Sequence, residues 1–146
     1  MERLFQIEEI LAYIEEQKKR NASATRQLSM YYEATQKNLE TNEKTYSLWE
    51  GYIDTLEKNG YGHSEIREVY KMLKSKFWRF LPFWKGWFGY ESRLPIDQSK
   101  RAKVLELAND ILQYKECLEK EKILQWIREK SIGSAKENNI TKSIYM

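Results

Sequence analysis

From Met1 to Glu50 the chain has neither glycine nor proline. These are the residues that most often end a helix, glycine through its backbone freedom and proline through its missing N–H. Fifty positions without either leave helix as the default local state. A 3-4 spacing sets Leu4, Ile7, Leu11 and Ile14 on one stripe. The same register continues through Lys18, Asn21, Thr25, Leu28, Tyr32, Thr35, Leu39, Asn42, Tyr46, Trp49, Ile53 and Leu56. This seven-residue frame predicts one long helix over 2–58, with apolar ends and a polar centre. Unbroken, about 55 residues at 1.5 Å rise would reach roughly 80 Å. A helix of that length must project from a compact body, pair with a second chain, or split. The polar run 15–27 is the place that can hold a turn, with Asn21, Ser23 or Thr25 capping a second helix, but it contains no strong breaker and the continuous helix is the favoured expectation.

Asn59-Gly60-Tyr61-Gly62-His63 is the first strong punctuation, with Gly60 suited to closing the helix in a left-handed conformation. Ser64 then reads as the N-cap of a helix over 64–81 whose apolar face is Ile66, Val69, Tyr70, Leu73, Phe77 and Phe80. Pro82 is expected to end or kink it. A last helix is predicted over 97–131, capped by Asp97, with a slip of register near Lys120-Glu121-Lys122. The stretch from Gly133 onward lacks periodicity and reads as a flexible tail over 132–146. No segment alternates as a half-buried strand would. The predicted fold is therefore all-α, a helical bundle formed as a single domain over 1–131.

Between the second and last helices lies an aromatic-rich segment, 77–90, predicted as a loop. Eight of its fourteen residues are aromatic, against 14% of the whole chain. The basic excess falls in the same region: residues 64–103 carry ten Lys or Arg against four Asp or Glu, while the chain as a whole is only +3. Trp78, Arg79, Phe83, Trp84, Lys85, Trp87, Phe88 and Tyr90 are accordingly the candidate partner-binding residues. Trp, Tyr and Arg dominate interface hot spots, and an exposed cluster of this kind needs a surface to cover it. Core packing is the competing use of the same rings. A protein partner or a homo-oligomer is the first expected occupant. An anionic membrane surface comes second, since indoles and cations together suit the headgroup level. Nucleic acid comes third, through stacking and phosphate contacts.

Catalytic chemistry finds little support in the residues. One Cys and one His cannot build the common zinc sites, so no metal is expected. His63 stands in a glycine-rich turn. Cys117 lies between Glu116 and Glu119, whose charge opposes thiolate formation. Paired carboxylates at 8/9, 15/16 and 116/119/121 sit among bases at helical spacing and read as solvated faces. No phosphate loop or metalloprotease motif occurs, and no cofactor is expected. Leu48-Trp49-Glu50-Gly51 resembles the Trp-x-Gly turn of small helical-hairpin substrates of type VII secretion. The likeness spans four residues, and the helical register running on through Leu56 accounts for Trp49 as a seam residue.

The sequence alone thus predicts a non-enzymatic helical interaction or structural protein, similar in style to viral or mobile-element accessory proteins. With no signal segment and no apolar run long enough to span a bilayer, an intracellular, cytoplasmic location is expected, with a membrane-peripheral one as the variant.

Overall fold

A computed structural model describes residues 2–94 and 99–131, with the side chains of 2–6 left aside. The predicted cap at Asp97 and the tail 132–146 lie outside the described residues. The chain is all-α, with no strand among the described residues. Helices α1 (Glu2–Lys19), α2 (Ala24–Lys37), α3 (Glu43–Lys58), α4 (His63–Phe77), α5 (Leu81–Arg93) and α6 (Ser99–Tyr114) are followed by α7 over 120–131. Helices α1, α3 and α5 begin at Glu2, Glu43 and Leu81, a two-helix period of about forty residues, as in helix–turn–helix repeats.

The long N-terminal helix is broken twice, at 20–23 and at 38–42. At the first break Asn21 takes a left-handed backbone, φ +62°. Asn is one of the few residues that enters this region at low cost. The Ala22 N–H then reaches back to the Gln17 carbonyl at 3.0 Å, closing α1 as a glycine would. Ser23 caps α2, its Oγ accepting from the Arg26 N–H at 3.1 Å. The continuous helix favoured from the sequence is thus broken within 15–27, because Asn21 supplies the stop that no Gly or Pro marks.

The second break has no counterpart in the expected helix boundaries. Asn38 ends α2 with both its backbone N–H and its side-chain amide on the Ala34 carbonyl, at 3.1 and 2.9 Å. Asn42 and Thr45 then exchange hydrogen bonds at 3.0 Å, a reciprocal cap that satisfies two first-turn donors of α3. Asparagine therefore terminates helices here without Gly or Pro. At the next turn Gly60 does adopt φ +74°, with the Tyr61 N–H on the Leu56 carbonyl at 3.1 Å. Helix α4 starts at His63, so Ser64 lies within its first turn rather than before it.

Chain contacts divide the molecule into two compact units, 1–77 and 78–146. In the first, α2 packs chiefly on α3, α1 lies against both, and α3 also meets α4. Short turns between successive helices give the hairpin geometry of bundles. Ile7, Ile14, Tyr31, Ala34, Leu48, Trp49, Ile53, Leu56, Ile66, Tyr70, Leu73 and Phe77 form its interior. The frame seen in sequence thus serves packing within one chain. Its polar members find local uses: Lys18 lies over the Tyr31 ring, Nζ 5.2 Å from the centroid, and pairs with Glu15 at 3.1 Å.

In the second unit α5 packs on α6, and α7 contributes Ile123, Trp126 and Ile127 to the interior. The predicted helix 97–131 is interrupted over 115–119, just before the register slip visible in the sequence.

Tyr31 packs directly over Gly51, where a Cβ would stand only 2.5 Å from the ring's Cζ and 2.8 Å from its hydroxyl oxygen. Tyr31 is itself buried, so the ring has nowhere to retreat without loosening α2 from α3. Gly51→Ala is expected to cost about 1–3 kcal/mol in spite of alanine's better helix propensity. Urea unfolding followed by circular dichroism measures this, and an unchanged or raised midpoint contradicts the tight contact.

Candidate functional site

The aromatic segment is not a loop. Pro82 occupies the first turn of α5, where a missing N–H costs nothing and a fixed φ suits helix entry. The residue expected to stop one helix instead starts the next. The Leu81 N–H, one of the unpaired donors at that helix start, is taken by the Glu119 carboxylate at 2.8 Å. Glu119 therefore has a structural role beyond the solvated face expected of it.

Within α5 the candidate binding residues separate by face. Phe83, Trp84, Trp87 and Tyr90 point inward; Phe83 and Trp84 have no exposure, and Trp87 has 6%. Trp84 and Trp87 stack with planes 13° apart and centroids 6.2 Å apart, and Phe83 meets Trp84 edge-on at 4.9 Å. The Trp84 Nε1–H donates to the Trp78 carbonyl at 2.7 Å. The physical reason is the 3-4 spacing of 83, 87 and 90, which makes one inward stripe once the segment is helical. These four are interior residues, which corrects their expected role as a contact surface.

Trp78, Arg79, Lys85 and Phe88 remain at or near the surface. Arg79 and Lys115 both lie by the Trp78 ring, 5.6 and 5.7 Å from its centroid. Half-buried Phe88 is held edge-on by Trp126 at 5.4 Å. The structure thus does not gather the eight into one patch.

A different aromatic group, not singled out by the sequence, lies on the first unit. Tyr32 of α2 is 50% exposed and meets Trp49 and Tyr52 of α3, both at 6.4 Å between centroids. Trp49 and Tyr52 meet edge-on at 5.7 Å. Half-buried Tyr52 is harder to ionise than a free phenol, through burial first and then through Tyr32, Tyr61 and Glu65 nearby. The signal available in the sequence was the concentration of tyrosine, since five of the ten fall between 31 and 61. Their spacing does not show that they converge, because that depends on how α2 lies against α3.

Several ionisable side chains among the described residues are displaced from their ordinary values, chiefly by burial. Burial pushes the Cys117 thiol up, with Glu119 and Glu116 adding to it against Lys120 and a backbone hydrogen bond. Burial also raises Tyr46, helped by Tyr70 and Glu50. Lys18 loses some basicity to burial but regains more from Tyr31 and Glu15, so its pKa is raised. Among the described residues no three His, Cys, Asp or Glu side chains are grouped to hold a metal, and no helix is long and apolar enough to cross a membrane.

No family model matches the chain, and no solved structure matches it. One curated protein does. Over 127 residues the chain is 31% identical to the serine/threonine-protein kinase MPS1 of Encephalitozoon cuniculi (strain GB-M1). The alignment covers 87% of this chain, which spans about a fifth of that kinase's length (21%). This likeness overturns the expectation of a non-enzymatic interaction or structural protein, and with it the accessory-protein comparison. Composition and motif searches missed it because they ask for catalytic residues, and the shared stretch is a helical one.

Two outcomes follow from the site's packing and charge. Trp84→Ala, which empties a fully enclosed site, is expected to lower stability by about 3–5 kcal/mol, while Lys85→Ala at the surface stays within about 0.5 kcal/mol. Equal effects in denaturant titrations contradict the assigned faces of α5. The second concerns Glu50, whose carboxyl is raised above its ordinary 4.5 by desolvation. The folded state then holds that proton more tightly than the unfolded chain, so this contribution is greatest below pH 4.5 and is lost as pH rises through the folded value. Glu50→Gln should therefore melt progressively higher than the native chain as pH goes from 4 to 7. A native chain that gains on the variant over that range contradicts the partial desolvation of this carboxyl.

Proposed function

We propose that this chain has a kinase-related function, as a helical region of a serine/threonine protein kinase system. The observation that carries the reading is the 31% identity over 127 residues, which takes in nearly all of the described helices. The matched portion is about a fifth of the kinase, so the activity of the whole enzyme comes to this chain only as part of the proposal.

The sequence itself says which part of a kinase this stretch resembles least. A protein kinase covers its nucleotide with G-x-G-x-x-G, places a base in H-R-D and holds Mg²⁺ with D-F-G. None of the three occurs in these 146 residues; Gly60-Tyr61-Gly62-His63-Ser64-Glu65 departs from the first at its last position. Phosphoryl transfer needs such parts, so on this reading they act together with the helical region described here. An intracellular location, where ATP is plentiful, belongs to the same proposal.

The test is to recover the chain from cells that make it, wash it at high salt, and assay phosphate transfer from ATP to serine or threonine of a protein substrate. Activity that stays with the washed chain, clearly above a resin control, is the expected result. A washed chain with no such activity in repeated preparations overturns the reading.

A further inference from the structure

We propose that the face formed by Tyr32 and Tyr52 over Trp49 binds a basic peptide segment, a lysine or arginine side chain resting against the rings. The inference is independent of the kinase likeness and rests on the first unit alone.

The rings are held in place rather than merely exposed. Buried Trp49 lies beneath the group at 6% exposure and meets Tyr32 with planes 86° apart and Tyr52 with planes 77° apart. A packed indole below and a half-exposed phenol above form a fixed aromatic surface, costing little side-chain entropy on binding. Ring faces attract a cation, more strongly as water is excluded from the contact.

Charge decides between a cationic and an anionic ligand. After burial, the groups that oppose ionisation of Tyr52 are Tyr32, Tyr61 and Glu65, of which only the Glu65 carboxylate is charged at neutral pH. From residue 24 to 65 the sequence has seven acids (33, 40, 43, 50, 54, 57, 65) against four bases (26, 37, 44, 58), although the chain as a whole is +3. Two of those bases pair within the stretch, Lys37 with Glu33 and Lys58 with Asp54, both at 3.0 Å, while Lys44 pairs with Glu8 at 3.1 Å, so the acidic excess remains. Glu65 stands in the first turn of α4, close enough to Tyr52 to act on its ionisation. An arriving ammonium or guanidinium would find rings and a carboxylate together, whereas an anionic segment would meet like charge.

The experiment titrates the full chain with a short oligolysine peptide, and in parallel with oligoglutamate, observing the aromatic side chains by nuclear magnetic resonance. Saturable shifts at Tyr32, Tyr52 and Trp49 with oligolysine alone are expected. Tyr32→Ala and Glu65→Gln, both surface changes whose folding is checked by circular dichroism, should each weaken binding about three- to tenfold. Three results overturn the proposal: no shifts at these rings, native affinity in both variants, or equal binding of oligoglutamate. A fourth is self-association of the chain that Tyr32→Ala abolishes, which would make a second copy the occupant.

Discussion

Helix termination by asparagine and serine is the constraint on which the first unit depends. A helix-forming run of fifty residues packs against itself only if it is cut into lengths that can turn back. Asn21, with its left-handed backbone, and Asn38, holding one carbonyl twice, make those cuts together with the caps at Ser23 and Asn42. Each cap is worth about 1 kcal/mol. Its larger consequence is positional, because moving a boundary by one residue rotates the next helix face by about 100°. Tyr31 would then no longer meet Gly51, nor Tyr32 meet Trp49.

The second unit is held by another device. It has few aliphatic residues on α5, so Phe83, Trp84, Trp87 and Tyr90 supply the bulk of that helix's buried face. Each removes on the order of 150–250 Å² from water, more than a leucine can. The polar end of Trp84 is satisfied by the Trp78 carbonyl, which sets the turn just before α5. The carboxylate of Glu119 reaches the same helix start from the turn before α7. Ring packing and the capping of one helix N-terminus thus determine how the segment following α4 is threaded within its own unit.

Kinase likeness and local geometry bear on different questions. The likeness is an identity of 31% over 127 residues, 87% of the chain, to a protein of which the chain spans about a fifth (21%). The tyrosine face concerns what that chain can touch, and it comes from two helices laid side by side. Neither depends on the basic aromatic segment, whose inward rings are committed to the core.

Much of the architecture could be read from residues alone. Helical class and the turn at Gly60 follow from periodicity and from residues with known backbone preferences, which are local properties; the run 15–27 is legible only as a place where a turn fits, and the favoured continuous helix is wrong. Pro82 shows where local reading stops, since the same ring that ends a helix also begins one, and only the burial of 83, 84, 87 and 90 as α5 packs on α6 selects between the two. The cut at 38–42 was similarly hidden, because Asn is a weak breaker until its side chain finds a particular carbonyl. Which aromatics face solvent was decided by tertiary structure alone: an exposed ring and a buried one have the same chemistry in sequence, and differ only in what another helix places over them.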